Sequence, residues 1–160
     1  MIVVSDASPL IGLAKIDHLH LLPDLFGTVT VPSAVHYELV VLGAGLAGAE
    51  QLAAVPWLHV QAVTSRIQVD YLRADLDPGE SEALVLAQEL GADRFLVDEE
   101  RARAVARILG IPHIGTVGIL VAAKRLGHIQ RVSPLFDQLS QHNFYLSQRL
   151  VRMVLQQVNE

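Results

Sequence analysis

The chain contains no cysteine, which excludes disulfides and thiolate metal sites and is compatible with a reducing cytoplasm. Charge is sparse as well. Only 18% of residues are charged while 51% are apolar, a balance that supplies a core and argues against disorder. No run is long enough to span a bilayer. The longest uncharged stretch, between Arg107 and Lys124, has 16 residues and is broken by Pro112, His113 and three glycines, whereas a spanning helix needs roughly 20 apolar residues. The opening Met1-Ile2-Val3-Val4-Ser5-Asp6 lacks a basic region and reaches an acid at its sixth position, so it is not expected to be a signal peptide. A soluble, cytoplasmic protein without a membrane partner is expected. A basic balance is also missing, since the formal charge is −5. Proteins that coat nucleic acid through phosphate contacts are usually basic. An acidic metal site is still compatible, because bound cations reverse the local field. Histidines 18, 20, 36, 59, 113, 128 and 142 form no H-x-x-x-H pair, and no glycine-rich loop ends in Lys-Ser or Lys-Thr. A His-based zinc site and a P-loop are therefore not expected.

What the sequence does contain is an alternation of short β-branched runs with helical spacing. Strands are predicted at Ile2–Ser5, Thr28–Val31, Trp57–Val60, Phe95–Val97 and Ile111–His113. Pro9–Leu22 reads as one or two helices, Ser33–Leu42 as a helix started by Pro32, and Gly43–Gly48 as a break before Ala49–Ala54 resumes the pattern. Asp77-Pro78-Gly79-Glu80 is a strong helix start, with Asp as N-cap, Pro first and Glu third; that helix should stop at Gly91. Glu99–Leu109 and Val117–Leu126 are helices closed by Gly110 and Gly127, and Pro134–Ser140 and Leu146–Val158 follow. The alternation implies an α/β domain, with a central parallel sheet of about four or five strands and helices on both faces. Residues 1–130 are assigned to a catalytic domain and 131–160 to a C-terminal helical extension packed on it.

The acids gain meaning from this layout. In open parallel sheets ligands bind beyond the carboxyl ends of the strands. Asp6 follows the first strand and Asp98 follows Phe95–Val97, so both face one rim. Either alone is often only the N-cap of the next helix; two together favour a site. Glu38 lies within the Ser33–Leu42 helix, where a solvated face is the plain alternative. Glu80 and Glu82 differ by about 200° around their helix, so both cannot reach one point equally well. Glu80 already closes the capping box with Asp77, which leaves Glu82 as the preferred ligand and Glu80 as the second choice.

Taken in order, these segments resemble the PIN-domain family. Asp6-Ala7-Ser8-Pro9-Leu10 looks like its first motif, a strand, an Asp and a small hydroxyl residue two places on. Val31-Pro32-Ser33-Ala34-Val35-His36-Tyr37-Glu38-Leu39 looks like the second. Gly79-Glu80-Ser81-Glu82-Ala83-Leu84 and Leu96-Val97-Asp98-Glu99-Glu100-Arg101-Ala102-Arg103 look like the third and fourth, and Gly115-Thr116-Val117-Gly118-Ile119-Leu120 with Gly127-His128-Ile129 completes the pattern. The likeness is greatest to a VapC-like subfamily. It implies an Mg²⁺- or Mn²⁺-dependent endoribonuclease, with Asp6, Glu38, Glu82 and Asp98 as catalytic metal ligands. Glu80, Glu99 and Glu100 are second choices, because Glu stands at position 82 where the family usually has Asp and because Asp98-Glu99-Glu100 offers three acids in a row. Ser8 and Thr116 would orient water or phosphate, though both also read as ordinary caps. Arg101 and Arg103 could meet a phosphate, or simply form a solvated helix face. Hard cations suit such an all-oxygen set.

Two other readings compete. Gly43, Gly45 and Gly48 spell G-x-G-x-x-G, the dinucleotide fingerprint. It would require His36–Leu42 to be a strand and an acid to end the next strand, but Trp57–Val63 ends in Thr64-Ser65-Arg66. A PIN fold without nuclease activity, acting as a binding module, is the other. Finally, Phe136, Leu139, Phe144, Leu146, Leu150, Val151, Val154, Leu155 and Val158 gather apolar surface at the C-terminus, and exposed patches mark contact sites. The family resemblance implies a homodimer and masking by a small antitoxin that reaches the acids with a basic side chain, with RNA as the substrate.

Overall fold

The structure is a computed structural model that describes residues 1–43, 49–52 and 54–160. Five strands, β1 (Val3–Ser5), β2 (Val29–Val31), β3 (Leu58–Val60), β4 (Arg94–Leu96) and β5 (His113–Ile114), form one sheet in the order β3-β2-β1-β4-β5. Every pairing is parallel, with Val4 opposite Thr30 and Phe95, and Phe95 opposite His113. The strands are short, and the central three are buried along most of their length; Val3, Val4, Val29, Val31, Phe95 and Leu96 are all buried. Such strands, without alternation, are those of a sheet covered on both faces.

The helices are α1 (Ala7–Lys15), α2 (Leu21–Phe26), α3 (Ser33–Tyr37), α4 (Ala49–Leu52), α5 (Arg66–Leu72), α6 (Pro78–Leu90), α7 (Glu100–Ile108), α8 (Thr116–Arg125), α9 (Ser133–Gln141) and α10 (Gln148–Gln157). α6 packs on β1 and β4 and meets α3, α5 and α7, whereas α1 and α2 pack with α8. α6 is buried without interruption from Gly79 to Ala87, as expected of a helix apolar on nearly every side. Its start obeys the capping box: Asp77 Oδ1 accepts from Glu80 N at 2.8 Å, and Glu80 Oε2 accepts from Asp77 N at 3.1 Å. Its end lies at Gly91, in the left-handed region at φ 59°. The α/β expectation, with one parallel sheet flanked by helices, is thus met, and the sheet has five strands.

Three local differences matter. The predicted Ser33–Leu42 helix is α-helical only through Tyr37 and continues as a π-helical turn, Glu38–Leu42. The predicted break at Gly43–Gly48 falls, apart from Gly43, outside the described residues, as does Ala53 of the predicted Ala49–Ala54. α5 was not foreseen. Its Ile67, Val69 and Tyr71 alternate with polar residues in the rhythm of a strand, yet only Val69 is buried, while Ile67 and Tyr71 are 84% and 82% exposed. The signal that could have revealed it is Ser65, whose hydroxyl caps α5 by accepting from Gln68 N.

α9 and α10 send Leu135, Phe136, Leu139, Val154 and Val158 into the same core as the sheet, with Phe144, Leu146, Leu150, Val151 and Leu155 packed against it. The C-terminal apolar residues therefore cover this chain's own core, and they leave little ground for a separate sticky surface there. Glu160 fastens this segment. Its carboxylate accepts from Lys124 Nζ at 2.7 Å, Val132 N at 2.8 Å and Ser133 N at 3.2 Å, with the side chain 6% exposed. Burial opposes ionisation there, but the Lys124, Val132 and Ser133 donors outweigh it and bring the pKa down to about 2. A carboxylate held below its ordinary 4.5 adds stability that is complete above that value and lost as pH falls towards 2. Glu160→Gln is therefore expected to lower the melting temperature by a few degrees (~2–4 °C) at pH 7 and to have little effect near pH 2. Thermal scans of both chains across pH 2–7 check this; a constant gap at every pH would contradict it.

Candidate functional site

The site is built on the end of β1. Asp6 leaves that strand and its backbone N–H donates to Leu96 O at 2.9 Å, across the sheet to β4. Sheet pairing fixes the backbone there, and the side chain is buried, Asp6 being only 5% exposed. Burial drives its pKa up to about 8. The Ala7 backbone N–H pulls it down, and the neighbouring Asp77, Glu80 and Glu38 push it up further.

Two elements bring those neighbours. The π-helical turn presents Glu38, whose pKa is raised first by burial and then by Asp77 and Glu80. The α6 start presents Asp77 and Glu80. Glu80 is raised by burial, lowered by the Asp77 backbone bond, raised again by Asp77 and Glu99, and lowered by Arg101. Gly79 lies in the middle. A Cβ there would stand 3.0 Å from Glu38 Oε1 and 3.5 Å from Asp6 Oδ1, so the absence of a side chain keeps open the small space that both carboxylates face. π-helical turns inside helices occur often at functional sites, and this one begins at Glu38.

The predicted quartet Asp6, Glu38, Glu82 and Asp98 is not assembled as expected. Asp6 and Glu38 do meet. Glu82 is turned away from them: its Oε2 accepts from Ala34 N at 2.8 Å and its Oε1 from Arg66 Nη1 at 2.6 Å, so it ties α6 to α3 and α5. Glu80, kept as the second choice, is the one of the two that lies beside Asp6. The capping bond occupies only Glu80 Oε2 and does not remove Glu80 from the acids. Glu82 had an unforeseen partner, Arg66, on the unforeseen helix α5. Asp77 was read only as a cap, yet it bears on Asp6, Glu38 and Glu80 alike; its place three residues before Glu80 was the available signal.

Asp98 stands on the same rim but is differently held. Its Oδ1 accepts from Thr116 N and its Oδ2 from Thr116 Oγ1, both at 2.7 Å. Burial raises its pKa, against which Thr116 and the Arg103 guanidinium lower it. Gly115 is required here, since a Cβ would sit 2.8 Å from Asp98 Oδ1. Thr116 is thus a bonded partner of Asp98, as well as the first residue of α8. Glu99 bears on Glu80. Glu100 does not join: it is exposed and pairs with Arg107 of its own helix, which lowers its pKa by hydrogen bond and charge. Arg101 is exposed beside Glu80, and Arg103 lies against Asp98 and Gly115. Ser8 is exposed and lines a different hollow, with Lys15, His142 and Phe144. The dinucleotide reading fails at its first requirement, because His36–Leu42 is helical; Gly45 and Gly48 lie outside the described residues.

Over residues 2–160 the chain matches the family model DUF3368, described as a PIN domain. The chain belongs to this PIN-domain family. Its fold is accordingly a nuclease-type fold, and PIN domains are generally hydrolases that use divalent metals. No curated protein matches it. Whether this PIN domain's residues suit such an ion can be asked of the geometry. The donors around Gly79 are all carboxylate oxygens, the ligand type that Mg²⁺ and Mn²⁺ prefer. Asp6 and Glu80 are buried and Glu38 half-buried, the Arg101 charge bears on Glu80, and further positive charge would relieve the repulsion among the three. Among the described residues, no three histidines or acids are already drawn into a coordination group. The donor set fits the ion; closure onto it would take side-chain adjustment by Glu38 and Glu80. Among the described residues, no helix of this PIN domain is long and apolar enough to cross a membrane.

A carboxylate raised from 3.8 to about 8 favours the fold fully below the lower value and costs stability as pH climbs to the higher one. In EDTA this PIN domain is therefore expected to lose stability between about pH 4 and 8, and Asp6→Asn to flatten that slope and melt several degrees higher at pH 8. Urea unfolding across that range checks it. An Asp6→Asn profile parallel to that of the parent chain would show that Asp6 is not the group responsible.

Proposed function

We propose that this PIN domain is an Mg²⁺- or Mn²⁺-dependent endoribonuclease that hydrolyses phosphodiester bonds of RNA. The observation that carries the reading is the set of buried Asp6 and Glu80 with half-buried Glu38 around the Gly79 gap, with Glu80 and Glu38 both raising the pKa of Asp6. These three would hold the ion, with Glu99 beside Glu80 and Asp98 opposite on the same rim. A bound divalent ion supplies a water of lowered pKa and positive charge for the phosphoryl oxygens.

The chain's own residues do the rest. Asp6 is held on the sheet, so its position does not vary with solvent. Asp77 keeps Glu80 aimed through the capping box, since it bonds to Glu80 in both directions. Thr116 takes both oxygens of Asp98 and fixes the plane of that carboxylate. Arg101 and Arg103 follow Asp98 on α7 and bring positive charge to a rim otherwise acidic, where a phosphate would have to lie.

The family resemblance further supports a toxin role, with this chain as a homodimer neutralised by a small antitoxin. The C-terminal apolar residues no longer argue for the dimer, because they are spent on the core. That part of the proposal rests on analogy of family. The masking would work by charge: a basic side chain inserted beside Asp6 would offset the same repulsion that a cation offsets.

Three measurements test these steps. With Mn²⁺ and single-stranded RNA, Asp6→Asn and Glu80→Gln are expected to lower cleavage by about a hundredfold or more, with the fold kept. Glu82→Gln should lose stability and retain most cleavage; loss of cleavage and of Mn²⁺ affinity in a folded Glu82→Gln, with Glu80→Gln active, would reverse the assignment. Light scattering at high micromolar concentration reads the dimer, for which a monomeric mass is the refuting result. Co-expression with the small protein encoded beside it reads the masking, which fails if that protein neither co-purifies nor lowers cleavage.

A further inference from the structure

Next to Asp98, on the side away from Gly79, lies a cavity of about 470 Å³, within the range of roughly 300–1,000 Å³ usual for small-molecule sites. One wall is the turn from β5 into α8. The other is the segment joining α9 to α10, from Asn143 to Leu146. Its charged and polar lining comes from Asp98, Arg103, His113 and Asn143, and its apolar lining includes Phe144 and Tyr145.

Four features distinguish this hollow from a packing gap. Arg103 Nε is buried without a hydrogen-bond partner, an expensive arrangement for a cation's donor unless something else completes it. His113 Nδ1 lies 3.0 Å from Ile111 O; a carbonyl only accepts, so Nδ1 carries the proton and Nε2 is the nitrogen left to bond elsewhere. Asn143 is held in the left-handed region at φ 62°, where the turn after α9 is locked by Asn143 N donating to Ser140 O and Phe144 N donating to Leu139 O. Among the described residues no hydrogen bond holds its side-chain amide. Tyr145 is 87% exposed at the mouth, while Phe144 behind it is anchored, its ring 3.4 Å from where a Gly12 Cβ would stand. The result is a planar aromatic face presented on a fixed turn, beside an amide with one donor and one acceptor face.

We propose that this cavity seats one unpaired base of single-stranded RNA, next to the phosphodiester to be cut. This rests on the nuclease reading above and adds to it where the substrate's flanking nucleotide goes. Tyr145 would stack on the base, as aromatic platforms do for single strands. The Asn143 amide would read its hydrogen-bonding edge, and Arg103 would turn its free N–H to the adjoining phosphate. Duplex RNA would be excluded, because its bases are not free to enter.

Nucleotide binding tests the pocket without asking the chain to cut anything. In saturation-transfer NMR with AMP, GMP, CMP and UMP, each alone in EDTA, at least one base should receive transfer from the full chain. Tyr145→Ala and Asn143→Ala should weaken that binding about fivefold or more, whereas Tyr145→Phe keeps it. Both side chains are exposed; alanine at Asn143 also strains a left-handed position, so Asn143→Gly, which keeps that turn without strain, must show the same weakening with its melting temperature kept. With Mn²⁺ and a random single-stranded RNA pool, Asn143→Ala should relax the preference at the cut site, raising KM and leaving kcat. No transfer to any of the four bases, or equal transfer in the alanine variants, overturns the pocket even if the parent chain cuts RNA. Base binding by a chain that never cuts RNA keeps the pocket and sinks the nuclease reading instead. If Tyr145→Ala releases a co-purifying protein while nucleotide binding is unchanged, the cavity belongs to that protein and the base assignment is wrong.

Discussion

The burial of one carboxylate at the end of a central strand is the constraint around which this molecule is arranged. A lone charge taken out of water is costly, and the usual remedies are a counter-ion, several hydrogen-bond donors, or a proton. Asp6 has been given other acids instead. Asp77, Glu80 and Glu38 all raise its pKa, and without a cation the remaining remedy is the proton, which a pKa of about 8 supplies at neutral pH. A fold selected only for stability would place an apolar residue there. The same position becomes favourable once a positive charge is shared among these groups, so the arrangement is one whose cost depends on what is bound.

Topology makes that arrangement possible. With order β3-β2-β1-β4-β5 and every strand parallel, the carboxyl ends of β1 and β4 lie side by side at the middle of one rim. Asp6 and Asp98 come off adjacent strands, and the α6 start, packed on both of those strands, adds Asp77 and Glu80. The π-helical turn adds Glu38 without extending α3 past the rim. The acids are therefore supplied by the ends of two strands, the π-helical turn and the start of α6.

The sheet, its strands and the major helices were readable because apolar runs and caps are local signals. The Asp77–Glu80 capping box was read from four residues and is found with both of its bonds. The site was readable only in part. Spacing told that Glu80 and Glu82 must diverge, but not which one faces the sheet, because that depends on Arg66 and Ala34, which sit 16 and 48 residues away in the chain. α5 was hidden by its strand-like alternation, and with it went the partner that draws Glu82 aside. Asp77 was overlooked because a residue with a complete local role was taken to have no other. Capping uses backbone donors and one oxygen; it leaves the residue's charge to act on everything nearby.

That last point separates the two acid groups on the rim. Asp98 has both oxygens bonded to Thr116 and a guanidinium at hand, so its orientation is fixed and its charge is partly offset, although burial still holds its pKa above the ordinary value. Asp6, Glu38 and Glu80 have one another and, for Glu80, the more distant Arg101. A compensated carboxylate is rigid and holds its orientation whatever is bound. An uncompensated group changes its energy sharply when a cation arrives, and it is there that binding energy is available. Rigid orientation on one side of the rim and unspent charge on the other are what a phosphodiester between them would require: one edge to align it and another to hold the ion that meets its developing charge. The sheet supplies both edges from neighbouring strands, and Gly79 keeps the space between Asp6 and Glu38 from being filled by the protein itself.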